Sequence, residues 1–375
     1  MFKTEQIVFL LSLFLIVFQM SCNKGVEVPL ESPEPEIEAG SWKLIGLEGE
    51  MVMTIAVHPK IPSIIYAGTG SNFSTGTKGK IYKTTDWGRT WNAILHDVSP
   101  TVIVIDQQDP NVIYVGLGTA NFTRPGLLKS IDGGLTWSQA DSGIDFGVEG
   151  INLASLAIDP RDSRILYAGT GGFWPGSLYK STNAGKSWTD LRREGRGSAV
   201  SALENTVLSI AIDPHNPDVI YVGTTNNLLK STDGGLTWNY TALREDGMGA
   251  TCVVVSQHQS DRIYFHSQHG FTRSDDGGRT YLILNTGLPA TEIRGIRAVI
   301  LSSIIEDPVS KGKLFVSAFT GAGHQLYFSN SSGELWFSSI DNAFNRHIID
   351  LQLASNRKYL IAGTENGVYL FRMKR

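Results

Sequence analysis

Acidic side chains recur along the chain in one fixed setting. A short phrase that ends in an aromatic residue holds an acid or amide one or two positions before a glycine, and it returns about every 40–50 residues. A carboxylate in such a turn can accept hydrogen bonds from the N–H groups of its own turn. We therefore expect a structural role, and not a catalytic one, for the five residues at this position: Asp86, Asp132, Asn183, Asp233 and Asp276.

Each phrase follows the same series of short apolar segments. A first segment ends in Asp-Pro or His-Pro, a second resembles Ile165–Gly169, and a third ends in a lysine, as in Leu178–Lys180. β-Branched and aromatic runs bounded by Gly, Pro, Asn and Asp predict strands. Paired glycines such as Gly133 and Gly134 permit the tight turn into a fourth strand, which the aromatic residue begins. The repeat predicts an all-β protein built from four-stranded units.

The repeated phrase resembles the BNR or Asp-box repeat, Ser/Thr-x-Asp-x-Gly-x-Thr-Trp. Sialidases, xyloglucanases, sortilin-type receptors and photosystem II assembly-factor propellers share this repeat, and the resemblance covers the chain from about Ser41 onward. It implies a β-propeller in which the acidic turns lie on one face, here called the turn face. It also implies that active sites and binding grooves lie on the opposite face, here called the loop face, with the loops that join second and third strands.

The number of phrases predicts the number of blades. Five phrases are clear, and a sixth is degraded because Ser331 replaces the acid. Three more strand-like segments follow it, beginning at Ile348, but a fourth is absent there. The segment 41–47 looks like a tryptophan-led fourth strand without preceding strands. We therefore predict a seven-bladed β-propeller whose ring is closed by the N-terminal strand, which removes both exposed sheet edges.

The N-terminus reads as a targeting segment. Lys3 precedes a continuous apolar stretch, Ile7–Phe18, and Ser21-Cys22 then resembles a bacterial lipoprotein cleavage site. An ordinary export signal or an uncleaved anchor is the alternative. We predict a signal peptide over 1–22 with lipidation at Cys22, a Pro- and Glu-rich tether over 23–40, and one propeller domain over 41–375. The expected location is the bacterial cell envelope, with the protein anchored to a membrane by its lipid.

Composition limits the partners and cofactors. The formal net charge is −4 and no basic run is present, so we expect no nucleic-acid partner. The second cysteine, Cys252, lies in an apolar segment and is expected to be an inert thiol. Three histidines, His258, His266 and His269, lie close in sequence, but strand alternation separates the last two onto different faces. We expect neither a metal site nor a cofactor.

The loop face offers the residues for ligand binding. Loops of the first three blades carry aromatic and amide residues that suit stacking on sugars or holding a peptide, and the connections between blades carry arginines that can hold an anionic group. The alternatives are aromatic rings packed on their own loops and solvated charges. The binding residues predicted on this face are Asn72, Phe73, Asn121, Phe122, Arg124, Phe173, Trp174, Arg192, Arg193, Arg196, Arg244, Arg294 and Arg297.

An enzyme is the less favoured prediction from the sequence. The Arg-Ile-Pro signature of sialidases is absent, whereas the segment Ile55–Pro59 resembles xyloglucanase-type enzymes. That resemblance implies a second propeller and a catalytic aspartate on the third strand of the first blade, but Lys78–Lys83 contains no carboxylate. Other carboxylates on the loop face are not singled out by their spacing: Asp145, Glu149, Glu194 and Glu204.

We therefore predict a membrane-tethered, non-catalytic propeller that binds a protein, peptide or glycan on its loop face. The first alternative is a glycoside hydrolase of the sialidase or xyloglucanase type. The second alternative is a structural spacer in the envelope.

Overall fold

A computed structural model describes residues 32–71, 77–120, 124–147, 151–172, 175–242, 249–293, 296–321, 323–339, 344 and 346–374. The chain separates into two compact units, Met1–Pro33 and Glu34–Arg375. The second unit is a ring of seven four-stranded antiparallel sheets. No helix of the described residues is both long enough and apolar enough to cross a membrane.

The first four blades follow the chain without interruption. In each blade the strands are given from the inside of the ring outward. Blade 1 contains β2 (Val52–Val57), β3 (Ile65–Thr69), β4 (Gly79–Thr84) and β5 (Asn92–Val98), and blade 2 contains β6 (Pro100–Ile105), β7 (Ile113–Leu117), β8 (Gly126–Ser130) and β9 (Ser138–Gln139). Blade 3 contains β10 (Ile151–Ile158), β11 (Leu166–Gly172), β12 (Leu178–Ser181) and β13 (Thr189–Asp190), and blade 4 contains β14 (Val207–Ile212), β15 (Ile220–Thr224), β16 (Leu228–Ser231) and β17 (Asn239–Tyr240).

Two more blades and short accessory elements complete the chain order. Blade 5 contains β18 (Thr251–Val255), β19 (Ile263–Ser267), β20 (Gly270–Ser274) and β21 (Leu282–Ile283), and blade 6 contains β24 (Leu301–Glu306), β25 (Leu314–Phe319), β26 (His324–Ser329) and β27 (Phe337–Ser338). Two connections between blades hold further elements. The helix α1 (Leu191–Glu194) and a 3₁₀ turn (Val200–Glu204) lie between β13 and β14, and the hairpin β22 (Thr291–Ile293) with β23 (Ile296–Ala298) lies between β21 and β24.

The N-terminal strand closes the ring, as the sequence predicts. Blade 7 consists of β28 (Ile348–Leu353), β29 (Tyr359–Thr364) and β30 (Gly367–Arg372), and β1 (Trp42–Gly46) pairs antiparallel with β30 as its outer strand. Trp42 stacks on Phe344 with ring centroids 4.4 Å apart, because the aromatic ring needs an apolar surface to cover it. The closure therefore combines a backbone ladder with buried aromatic area.

The carboxylates of the acidic turns are hydrogen-bonded within their own turns. In blade 2, Asp132 Oδ1 accepts bonds from Ser130 Oγ at 2.7 Å and from the Thr136 backbone N–H at 2.9 Å, and Oδ2 accepts from Thr136 Oγ1 at 2.5 Å. Bonds from Thr136 and Ser130 lower the pKa of Asp132 to about 2. Asp233 and Asp276 repeat the arrangement, and Asn183 reproduces it with an amide. Each oxygen of these carboxylates already has a partner within its own turn, so the turn accounts for the acid without a shared site.

A cross-strand pair of a tyrosine and a basic residue helps to join blades to their neighbours. In blade 1, Tyr66 and Lys83 face each other on β3 and β4, and both donate to the carbonyl of Gly133 in the acidic turn of blade 2, at 3.0 and 2.8 Å. The ammonium of Lys83 lies 5.2 Å from the Tyr66 ring, so a cation–π contact adds to the hydrogen bonds. In blade 3, Tyr167 and Lys180 bind Gly234 in the same way. The turns thus fasten neighbouring blades as well as neighbouring strands.

Candidate functional site

Most of the aromatic and arginine residues predicted to bind ligand fall outside the described residues. Those outside are Asn72, Phe73, Asn121, Phe122, Phe173, Trp174, Arg244 and Arg294. Of the others, Arg124 and Arg196 are exposed, and Arg297 lies in β23. Arg196 exchanges backbone hydrogen bonds with Leu236 and Trp238 of the acidic turn of blade 4, so it does not lie on the loop face, where it was predicted. Their role in binding stays a prediction, as does lipidation at Cys22, which also lies outside the described residues.

Arg192 and Arg193 lie in the first turn of α1 and contact its capping residue, Asp190. Asp190 accepts the backbone N–H of Arg192 at 2.9 Å and lies 3.4 Å from both guanidinium groups. The same carboxylate accepts a bond of 2.6 Å from Ser177 Oγ. These contacts stabilise a helix start and neutralise one acid, so the two arginines have a local structural partner.

Glu50 lies beside the strand where the xyloglucanase resemblance implies a carboxylate. It belongs to the connection from blade 7 to blade 1, and its Oε1 accepts a bond from the hydroxyl of Tyr82 on β4 at 3.4 Å. Glu50 is partly buried. The third strand of blade 1 has no acid of its own, but the ring closure supplies one from the neighbouring connection.

Glu365 is carried on a loop that is hydrogen-bonded to the segment of Glu50. The Gly367 N–H donates to the carbonyl of Glu50 at 2.8 Å, and the Gly49 N–H donates to Asn366 Oδ1 at 2.9 Å. The Glu365 side chain is itself oriented, because Oε2 accepts the backbone N–H of His347 at 2.7 Å. Two glutamates distant in sequence therefore stand on adjoining loops of the loop face.

An aromatic and histidine cluster adjoins Glu365 on the blade 6 side. Phe319 stacks on His347 with centroids 5.7 Å apart, and His324 lies 5.5 Å from His347. His324 Nδ1 is buried without a hydrogen-bond partner. Burial, with the neighbouring His347, lowers the pKa of His324 to about 4. The imidazole of His324 is therefore neutral at physiological pH, and the exposed ring of His347 gives the cluster an accessible flat surface.

A third carboxyl group lines the central channel below the loop face. The channel has a volume of about 560 Å³ and is bounded by the inner strands, with Asp350 in its wall. Asp350 Oδ2 accepts the N–H of Ile55 across the junction of blades 7 and 1 at 2.8 Å. Enclosure by the ring raises the pKa of Asp350 to about 6. At blade 4 the equivalent junction is made by a serine, since Ser209 Oγ accepts the N–H of Val253 at 3.0 Å.

The other carboxylates considered from sequence make few contacts. The backbone N–H of Asp145 lies 3.3 Å from the Tyr179 hydroxyl, while Glu194 and Glu204 are exposed. Glu149 lies outside the described residues. No geometry of the described residues brings these acids together.

The histidines of blade 5 and Cys252 are bonded locally. His258 Nε2 is 2.9 Å from the carbonyl of Asp307, and His266 Nε2 is 3.2 Å from that of Val299. Burial raises the pKa of Cys252 to about 11, which keeps the thiol protonated. In the part of the chain that the structure describes, no group of three or more His, Cys, Asp and Glu side chains is placed to hold a metal ion.

Comparison with known proteins identifies relatives that are enzymes. No family model matches the chain. A xyloglucanase of Acetivibrio thermocellus is 32% identical over 160 residues, which are 36% of this chain and 19% of that protein. A xyloglucanase of Hypocrea jecorina is 26% identical over 254 residues, or 59% of this chain and 30% of that protein. The chain thus spans less than a third of the length of these relatives.

Solved structures share the fold at low identity. The GH74 xyloglucanase of Xanthomonas campestris superimposes with a TM-score of 0.69 at 17% identity, over 89% of this chain and 53% of that one. YCF48 bound to D1 peptide superimposes with a TM-score of 0.59 at 15% identity, over 92% of this chain and 100% of that one. The chain is a seven-bladed β-propeller with homology to GH74 xyloglucanases and to YCF48-type propellers. At these identities, the structural likeness itself shows the fold alone.

The relatives correct one prediction from sequence. A non-catalytic propeller was expected because the third strand of blade 1 lacks an acid and sialidase signatures are absent. This prediction is wrong, because the curated relatives are named as xyloglucanases and the match favours the glycoside-hydrolase alternative. Glu50 is an acid that was not considered beside that strand, because it comes from another segment of the chain. The predicted ring closure was the signal that could have found it, because it places residues 47–51 beside the loop that joins β29 and β30.

Proposed function

We propose that the protein is a glycoside hydrolase that cleaves a β-linked polysaccharide of the xyloglucan class on its loop face. The observation that carries the proposal is the 32% identity over 160 residues to a xyloglucanase. The chain corresponds to one propeller, about half of the matched enzyme structure from Xanthomonas campestris. The activity of the whole relatives therefore reaches this chain only as a proposal.

The catalytic groups we propose are Glu50 and Glu365. Glycoside hydrolysis needs two carboxyl groups on either side of the scissile bond, one to protonate the leaving oxygen and one to act as base or nucleophile. The Tyr82 hydroxyl holds the Glu50 carboxylate, and the His347 N–H holds that of Glu365. The backbone bond from Gly367 to Glu50 keeps the two loops in register. Pre-organised carboxylates of this kind are what the reaction requires.

The cluster of Phe319, His324 and His347 supplies a binding surface for the same site. Sugars present C–H faces that pack on flat rings, and their hydroxyls need hydrogen-bond partners. His347 is exposed and can offer its ring to a sugar, whereas Nδ1 of His324 is buried beneath the cluster. We propose that a sugar unit of the substrate lies against this cluster.

The activity is tested with a polysaccharide panel. The purified protein is incubated with xyloglucan, mixed-linkage β-glucan, carboxymethyl cellulose and sialylated glycans, and released reducing ends are measured. We expect turnover of xyloglucan and little turnover of sialylated glycans. Failure on every polysaccharide would contradict the proposed function.

The site is tested with matched carboxylate variants. Glu365→Gln should lower kcat on the best substrate by about 10²–10⁴-fold, the usual contribution of one acid or base group. Glu194→Gln is the control, because Glu194 is an exposed acid that takes no part in the proposed site. Equal rates for the two variants would remove Glu365 from the mechanism while leaving the hydrolase itself in place.

We also propose that the propeller is an Asp-box repeat protein held at the bacterial envelope by a lipid on Cys22. The support is the apolar segment before Cys22 and the local bonding of the acidic turns. Cys22→Ala should move the protein from the membrane fraction to the soluble fraction of cell extracts, with its hydrolase activity unchanged. Metabolic labelling with a fatty-acid analogue checks the modification, and labelling of the alanine variant would contradict it.

A further inference from the structure

The junctions between neighbouring blades share one construction. A tyrosine of the second strand faces a basic residue of the third strand, and the acidic turn of the next blade packs on this pair. The pair is Tyr–Lys in blades 1 to 4 and Tyr–Arg in blades 5 and 7: Tyr66–Lys83, Tyr114–Lys129, Tyr167–Lys180, Tyr221–Lys230, Tyr264–Arg273 and Tyr359–Arg372. In blade 5, the Arg273 guanidinium donates to the carbonyl of Ser332 in the blade 6 turn at 3.0 Å.

The incoming turn brings a glycine close to the tyrosine and to a third position, which directly follows the outer strand of the preceding blade. A Cβ on Gly185 of the blade 3 turn would lie 3.3 Å from Tyr114 and 3.4 Å from Ala140. A Cβ on Gly235 of the blade 4 turn would lie 3.4 Å from Tyr167 and 3.1 Å from Leu191. These contacts show a tightly filled junction, in which a β-turn closes the rim toward the turn face.

The junction of blades 6 and 7 departs from this construction. Its outer strand β1 comes from the other end of the chain, so no turn joins β30 to β1. The cross-strand pair at this place is Phe315–Phe328, and the third position is Ser339. Both polar donors are replaced by phenyl rings where no turn carbonyl is present to accept their bonds. These three residues line an open groove of about 570 Å³.

The walls of the groove are apolar and its rim is basic. Phe337 and Phe371 lie in the walls, and Phe337 is 48% exposed. Lys313 and Lys374 stand at the rim, where a second cavity of about 600 Å³ continues past them and is lined also by Arg357, Lys358 and Arg372. Ion pairs neutralise only part of this positive charge, since Arg357 pairs with Asp307 and Lys358 pairs with Glu34. Among the described residues, neither Lys313 nor Lys374 belongs to an ion pair.

We propose that the groove between blades 6 and 7 binds a β-turn of a partner polypeptide that presents an aromatic side chain next to an acidic residue. The shape follows from the other junctions, where a turn of this kind occupies the same place. The aromatic ring follows from the exchange of Tyr and Lys for Phe315 and Phe328, which makes the floor apolar. The acid follows from the basic rim, because an anionic group there finds Lys313 and Lys374 within reach.

The groove is separate from the proposed hydrolase site. It opens at the outer rim toward the turn face, whereas Glu50 and Glu365 belong to the loop face. Occupation of the groove therefore docks the propeller onto another protein without covering the carboxylates. The two proposals can fail independently, because one is measured by binding and the other by turnover.

The probe is a fluorescently labelled, cyclised peptide with the sequence of residues 231–240, which is the acidic turn of blade 4 with its tryptophan. We expect saturable binding by fluorescence polarisation to the full chain. Phe337→Ala and Lys374→Glu should each weaken binding at least tenfold. The matched control is Leu282→Ala, since Leu282 is also exposed and holds the same strand position in blade 5, whose junction is already filled. Its affinity should equal that of the wild type.

Variants of the peptide test the two halves of the proposal. Replacing its tryptophan by alanine, or its aspartate by asparagine, should each weaken binding, and hydrolase turnover of the Phe337→Ala protein should be unchanged. Absence of saturable binding, or equal loss in the Leu282→Ala control, would overturn the proposal. Binding of lauric acid in place of every peptide would also overturn it, because the groove would then hold an acyl chain.

Discussion

The turn face and the loop face use acidic residues in opposite ways. On the turn face, each carboxylate is bonded within its own turn, as Asp132 is by Ser130 and Thr136. On the loop face, Glu50 and Glu365 lie far apart in sequence, and their two loops are hydrogen-bonded to each other only because the ring closes. Repetition in this chain therefore marks architecture, whereas the carboxylates proposed for chemistry lie outside the repeated turns.

Removing the closing strand should have the largest effect on both faces. Deletion through Leu47 removes β1, exposes the edge of β30 and takes away the carbonyl of Ile45, which accepts the Trp91 indole N–H at 2.9 Å. We expect loss of the cooperative unfolding transition in calorimetry, together with aggregation.

Shorter deletions set the scale for that result. Deletion through Pro33 should leave the melting temperature unchanged, because the propeller unit begins at Glu34. Deletion through Ala39 removes the buried Ile37 and should cost about 2–3 kcal/mol. Equal melting of all three proteins would contradict the closure of the ring by β1.

Asp350 should give the next largest effect, with a sign opposite to that of the turn acids. Its folded pKa of about 6 lies above its ordinary value of 3.8, so its contribution to stability is present below pH 3.8 and is lost as pH rises through 6. Asp350→Ser, which introduces the residue type found at Ser209, should stabilise the protein by about 1–3 kcal/mol at pH 8. The gain should vanish near pH 4. Urea unfolding across this range measures it, and a pH-independent difference would contradict the assignment.

Asp233 should give the smallest effect. Burial opposes its ionisation, but bonds from Thr237 and Ser231 outweigh burial and lower the pKa below 3.8. Its contribution is therefore present at neutral pH and is lost as pH falls through the folded pKa. Asp233→Ala should cost about 1–2 kcal/mol at pH 7 and less at pH 3. An unchanged cost at pH 3 would show that the carboxylate charge is not responsible.

The fold could be predicted from the sequence because the turn phrases of the blades can be recognised locally. Seven blades and closure by β1 could be predicted from the aromatic phrases and from the unpaired segment at Trp42, and both are confirmed. The pairing of Tyr66 with Lys83 was not recognised. Its function depends on the carbonyl of Gly133 in the next blade, about 50 residues away, and no local pattern states that contact.

The site could not be predicted to the same extent. Glu50 is an ordinary acid in a connection when it is considered alone, and its place beside Tyr82 depends on how blade 7 meets blade 1. The aromatic loops of blades 1 to 3 were predicted to bind ligand because their sequences resemble one another. Phe319 and His347 share no motif, since they come from different blades, whose strands are held together here by a backbone hydrogen bond from His324 to the carbonyl of Arg346.

The comparison of the two faces is tested most directly by xyloglucan hydrolysis with one acid removed from each. Wild type, Glu50→Gln and Asp233→Asn are assayed at the same pH and at a temperature where all three are folded. We predict that kcat of the Glu50 variant falls by about 10²-fold or more, while kcat of the Asp233 variant stays within about twofold of wild type. Full activity in the Glu50 variant, or a matching loss in the Asp233 variant, would contradict it.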